Sequence, residues 1–432
     1  MGRLCYHTGA TFRAYREAIR LRSMPSLTRP ARRYLLYAAL LTSGLAISGL
    51  FYNLLLVELG YDRHGIRLPL VGEAPLLGLL NSLPVLAAAL SSLPLWWAMQ
   101  WIGLRPALIA SALLHAVALL GVALWPAPGP LLLCAALSGP ASVLFQVSAA
   151  PFMMRHSRPA ERDTLFALNG ALIIGAAGLG NLIGGPLPGI VAGFLGLPPG
   201  AAAYRATFAV AAAPVALAAL PLLLPAEPAS TPQPPAPAPV SVTGLVRAAF
   251  GAWHFALSPL LISLGAALLI PFLNLYFRQR YDAADIALGI IFAAIGFATG
   301  AATLLGPRLS RRFGKIGSVV LTQGLAVPCL LLLGLAPTLW LAATVALIRA
   351  ALMNMAMPLY DAYAMERTGE AARPMVIGLI KGAFSAGYII GPPISAFVQQ
   401  QYGFGPLFVA TACLYASATL ANALIFLRPG KQ

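Results

Sequence analysis

The sequence predicts an all-α polytopic membrane protein, with twelve transmembrane helices arranged as two six-helix pseudo-symmetric bundles. Three observations carry that expectation. Of 432 residues, 59% are hydrophobic and 9% charged, where a soluble domain carries about 25% charged residues. The apolar runs are continuous over about twenty residues, the length that crosses a bilayer as a helix, and the ten-residue alternation of a transmembrane barrel is absent. Landmarks of the first half also recur in the second: one interval, 211 residues, separates Gly78 from Gly289 and Gly103 from Gly314.

Taken in order, residues 1–33 form an Arg-rich arm with a single acid, Glu17. No apolar signal core precedes Tyr34, so a basic cytoplasmic arm is preferred to an organellar transit peptide. The first bundle, 34–225, holds helices at about 34–57, 74–98, 106–125, 130–153, 164–192 and 205–224. A Pro-rich linker follows at 226–245, whose prolines fix φ and lack donors, so it is expected to be extended. The second bundle, 246–428, holds helices at about 255–278, 285–307, 316–335, 338–363, 374–398 and 405–427, and 429–432 form a tail.

The net charge of +16 comes from 28 Lys and Arg against 12 Asp and Glu. In a membrane protein such an excess collects in cytoplasmic loops and meets anionic lipid headgroups, so membrane lipids and not nucleic acid are the expected partners. With the N-terminus inside, only Arg63, Arg67, Arg205, Arg278 and Arg280 fall on the outer side. Both termini are therefore expected in the cytoplasm, in a plasma or inner membrane. Cys5, Cys134, Cys329 and Cys413 are scattered and show neither a disulfide framework nor metal-ligand spacing.

The loop after the eighth helix reads PRLSRRFGK, in which Leu309, Arg312, Gly314 and Lys315 match the signature loop of the major facilitator superfamily. Its first copy keeps Gly103, with Arg105 close behind, while Gln100 and Arg311 stand at the two acidic positions. In Gly180, Gly184, Gly185, Pro186 and Gly189, and again in Gly387, Gly391 and Pro392, the chain is similar to the family's exporter motif in the fifth helix. Close helix packing by small residues explains the same glycines. From Tyr34 to Arg428 the chain thus resembles that superfamily. The resemblance implies secondary active transport of a small organic solute by alternating access, with Gly103, Arg105, Arg311, Arg312, Gly314 and Lys315 in the gating loops.

The resemblance also implies that helices one, four, seven and ten line the cavity, where the substrate-binding candidates are Tyr52, Asn53, Gln146, Asn274, Arg349 and Tyr360. Arg349 lies near the bilayer midplane, where a charge is costly and marks a functional candidate. Its fork suits a carboxylate or phosphate, which makes an anionic substrate the sharper expectation and a structural arginine the competing one. His115, Asp361 and Lys381 are the coupling candidates if protons drive transport, with Asp361 and Lys381 at matching depth on adjacent helices. No catalytic set, metal cluster or phosphate-cradling motif is present in the sequence, so neither an enzyme nor a cofactor is expected, and a monomer is. Multidrug-type efflux of lipophilic compounds and a non-transporting receptor or assembly factor are the alternatives.

Overall fold

The computed structural model describes residues 27–68, 72–224 and 251–427. Most of the arm, the linker expected at 226–245 and the tail at 429–432 lie outside the described residues.

The first span is α1 (Arg29–Glu58). It starts earlier than expected because Pro30 suits a first turn and the buried carboxylate of Glu161 accepts the Thr28 N–H at 3.1 Å. A short antiparallel hairpin, β1 (Gly65–Leu68) and β2 (Gly72–Pro75), then connects to α2 (Leu76–Ile102), with Gly65 opposite Pro75. The first half continues through α3 (Leu104–Leu124), α4 (Pro128–Arg155), α5 (Arg162–Gly184), α6 (Leu187–Leu195), α7 (Ala201–Leu217) and α8 (Leu220–Leu223). In the second half α9 (Trp253–Leu269) is joined to α10 (Leu273–Tyr281) by a 3-10 turn at Ile270–Phe272, followed by α11 (Asp285–Phe313), α12 (Lys315–Leu335), α13 (Leu339–Glu366), α14 (Arg373–Tyr402) and α15 (Gly405–Phe426).

Twelve stretches of the described residues are long and apolar enough to cross a bilayer. Three of the expected single helices are broken in two. Proline supplies the reason, because Pro186, Pro221 and Pro271 sit at the breaks, and each removes an N–H and crowds the carbonyl one turn back. The expected gating loops shrink to single residues. Gly103 and Gly314 alone separate the flanking helices, at φ of 81° and 72°, a backbone region that glycine enters without Cβ strain. Arg311 and Arg312 therefore belong to the last turn of α11 and not to a loop, and Arg105 and Lys315 to first turns.

The duplication is visible in bonds as well as in letters. Arg162 Nη2 donates to the Met154 carbonyl at 3.4 Å, and Arg373 Nε donates to the Met365 carbonyl at 3.1 Å. Ser157 Oγ donates to Met153 O at 2.6 Å, and Thr368 Oγ1 to Ala364 O at 2.7 Å. Each pair of partners is again related by 211 residues.

The halves meet along α2 against α14 and α5 against α11. The face that holds residues 27 and 427 is the terminal face, and the face of the Gly65–Pro75 hairpin is the far face. Close approach between the halves is made by glycine near the far face: a Cβ on Gly78 would lie 2.7 Å from Pro392 O, and one on Gly289 would lie 2.7 Å from Asn181 O. These contacts are images of each other under the 211-residue interval.

Candidate functional site

Each half holds a cavity among its spans. The cavity of the second half is lined by residues from five spans, among them Ser258, Gln323, Arg349, Asn354, Tyr360, Asp361, Lys381, Tyr388 and Tyr415. Arg349 is buried at 5% exposure. Its Nη1 donates to Tyr415 Oη at 3.3 Å, and Nε has no hydrogen-bond partner. A guanidinium has five N–H donors, so this one holds donors in reserve at a cavity wall. Lys381 Nζ lies 2.6 Å from Asp361 Oδ2 across α14 and α13, with the Lys side chain half exposed. Tyr360 is buried and donates to Phe255 O at 2.9 Å. Behind the wall, Asn422 donates to Ser258 Oγ at 2.8 Å and to Gln323 Oε1 at 3.0 Å, which ties three spans together.

The cavity of the first half is lined by Ser48, Tyr52, Asn53, Asn81, His115, Ser138, Phe208 and Pro271, among others. Its polar groups are hydroxyls, amides and one imidazole. His115 Nδ1 is 2.9 Å from Ser111 O and Nε2 is 3.3 Å from Ser142 Oγ, so both ring nitrogens are engaged. Asn81 Nδ2 donates to Asn53 Oδ1 at 2.7 Å and to its own helix at Leu77 O at 2.8 Å.

Of the expected substrate residues, Arg349 and Tyr360 share one cavity, and Tyr52 and Asn53 share the other. Asn274 is buried in the interface, where its Nδ2 donates to Leu50 O at 2.8 Å. Gln146 is exposed and lines neither cavity. Asn81, Gln323, Asn354, Tyr388 and Tyr415 were not among the sequence candidates. They stand on spans two, nine, ten, eleven and twelve, and a polar residue in an otherwise apolar run was the signal available for them.

The expected gating residues sit at the terminal face. Arg105 donates to the carbonyls of Leu222 and Leu224, fastening α3 to the end of α8. Lys315 pairs with Glu366 across α12 and α13. Arg312 lies over the Phe313 ring at 5.4 Å, and Arg311 is exposed. These contacts are all within one half. Hydrogen bonds between the halves occur, among the described residues, at the far face: Asn53 to Pro271 O, Asn274 to Leu50 O, Tyr204 to Asp285, Arg278 to Tyr204, and Gln400 to Arg63 O. Arg278 also pairs with Asp285 within the second half.

A twelve-span helical membrane protein in two related halves, with a largely apolar cavity carrying a few polar groups in each and hydrogen bonds joining the halves at one face, is built as a solute transporter is built. A family model described as Major Facilitator Superfamily matches residues 35–371 and 255–432, and the chain belongs to that superfamily. Over 185 residues it is 28% identical to a Deinococcus radiodurans protein named "Putative sugar efflux transporter", a match that takes in 41% of this chain and 46% of that one. The chain thus spans about half the length of the curated relative it matches. Among solved structures, a nucleoside transporter aligns with a TM-score of 0.71 at 14% identity, over 92% of this chain and 100% of that one. A D-xylose-proton symporter aligns at 0.68 with 15% identity over 91% and 96%. A bacterial homologue of the human lysosomal transporter Spinster, inward-facing and unoccupied, aligns at 0.66 with 16% identity over 93% and 95%. At these identities the likeness is one of fold.

Proposed function

We propose that the protein moves a small hydroxylated organic solute carrying an acidic group, by rocking of its two halves about the paired cavities. The observation that supports the acidic group is Arg349: buried, at a cavity wall, with one hydrogen bond at 3.3 Å and an unpartnered Nε. A guanidinium in that condition gains most from a planar anion that takes two N–H bonds at once. The neutral hydroxyls and amides of the first-half cavity suit the hydroxylated part of such a solute, and the named sugar efflux relative favours the same chemistry. Lipophilic cations are disfavoured by Arg349 and Lys381 in one wall.

The terminal face is assigned to the cytoplasm because the basic residues gather there. The arrangement described is then inward-facing, closed at the far face. Proton coupling, where a gradient drives the cycle, is assigned to Asp361, Lys381 and His115.

The test is a thermal-shift panel of sugars, sugar acids, sugar phosphates and nucleosides on purified protein, since a ligand that binds the folded state raises its stability. It is followed by flux of each hit into proteoliposomes. Arg349→Lys keeps the charge and loses the fork, so it is expected to lose binding of the acidic hits with normal folding. Unchanged transport of the native solute by a folded Arg349→Ala protein would refute the anionic assignment.

A further inference from the structure

The structure assigns to Asn53 and Asn274 a second role, as a two-legged clasp that holds the far face shut. This rests on the rocking reading above. Asn53 Nδ2, on α1, donates across the interface to the Pro271 carbonyl at 2.5 Å. Asn274 Nδ2, on α10, donates the other way to the Leu50 carbonyl at 2.8 Å. One interval, 221 residues, separates Asn53 from Asn274 and Leu50 from Pro271, so the two legs are reciprocal; the ten residues beyond the 211-residue interval are those by which the hairpin lengthens the connection between the first and second spans.

Each amide is also held in one orientation by its own half. Asn53 Oδ1 accepts from Asn81 Nδ2, and Asn274 Oδ1 accepts from the Leu275 N–H at 2.8 Å. With the oxygen occupied at home, the amide N–H₂ is left to point across. Both side chains are 3% exposed, so parting the halves at this face leaves four buried polar groups to find new partners. A within-half structural role would need the bonds to stay within a half, and they do not. The break in the seventh span supplies the acceptor: Pro271 lies in the 3-10 turn between α9 and α10.

The experiment uses the full chain in lipid nanodiscs with its four native cysteines replaced by serine or alanine. Spin labels are placed through cysteines at His64 and Tyr402 for the far face, and at Pro159 and Glu370 for the terminal face. Asn53→Leu and Asn274→Leu keep the side-chain volume while removing the donor. Each is expected to raise the ratio of far-open to far-closed distances by about fivefold, and the double variant by about 25-fold, the scale of one net hydrogen bond per leg. Folded variants with the parent ratio would overturn the clasp. Gly78→Phe serves as a wedge, because it forces the far ends apart whatever the asparagines do. If the wedge lengthens the far distance and leaves the terminal one unchanged, it is the rocking reading that fails, while the asparagine variants still judge the clasp by the far pair alone.

Discussion

The two cavities descend from one repeated unit and now differ in kind. The first-half cavity offers Ser48, Tyr52, Asn53, Asn81 and His115, all neutral or weakly basic, whereas the second-half cavity sets Arg349, Lys381 and Asp361 among Tyr360, Tyr388 and Tyr415. The interface glycines and the capping bonds of the repeat stayed paired while the cavity walls did not. Chemistry in this protein has been changed one side chain at a time on a scaffold whose contacts are kept in twins.

Arg349→Met is the sharpest way to break the comparison. A hydrogen-bonded charge is worth roughly 2–3 kcal/mol, so solute affinity, measured by thermal shift or by flux, is expected to fall about 30- to 150-fold while the fold survives. An equal or larger fall from a first-half variant would show that the charged wall is not the dominant one. Next in size is coupling: a pH gradient that drives solute flux in the parent is expected to lose its effect in a His115→Ala, Asp361→Asn double variant. Asp361→Asn alone is expected to change stability by less than about 1 kcal/mol, because its partner Lys381 is half exposed and solvent screens the pair. In the first-half cavity, Tyr52→Phe and Asn81→Ala are each expected to weaken binding by about three- to tenfold, the value of one neutral hydrogen bond.

The smallest effect sharpens the comparison outside the membrane. His156, stacked on Phe152 at 4.1 Å, is the twin of Arg367, which lies 5.5 Å from the Tyr363 ring. Burial, more than its cationic neighbours, holds the His156 imidazole below the usual histidine range. The unfolded chain therefore takes up a proton near pH 6.5 that the folded chain refuses, and stability drops as pH falls below that value. Melting curves from pH 7.5 to 5 are expected to slope less for His156→Gln than for the parent; equal slopes would show that His156 contributes nothing to acid sensitivity.

Much of this was legible in the letters. The twelve spans follow from runs that only a bilayer could accommodate, and the repeat showed itself in Gly78, Gly289, Gly103 and Gly314, positions where a helix must approach or turn. Hydrophobicity says less about continuity. Pro186 and Pro271 lie inside unbroken apolar runs, and many prolines in these spans are carried without a break, Pro84 and Pro328 among them, so composition does not separate the two cases. The hairpin from Gly65 to Pro75 is not marked in the letters because its strands are four residues each and are interrupted by glycine and proline. For the site, the expectation that helices one, four, seven and ten line the cavity placed Tyr52, Asn53, Arg349 and Tyr360 at cavity walls, but its choices from helices four and seven, Gln146 and Asn274, line neither cavity, and most of the partners that complete each wall come from the flanking spans. Tyr415 is the clearest case: its run shows a polar group but not that it receives Arg349, and it is the packing of α13 and α15 on either side of α12 that brings the two side chains together.

The bond from Asn53 to the Pro271 carbonyl carries one more consequence. On the rocking reading proposed above, parting of the far face exposes that oxygen and that amide, and water is the partner that takes the place of the lost bond. Opening is then a wetting event, and its rate depends on how readily a narrow, largely apolar crevice fills. Osmolytes that are excluded from protein surfaces favour the dry, closed form, so sucrose in the external medium is expected to slow the cycle even for a solute that never meets the osmolyte.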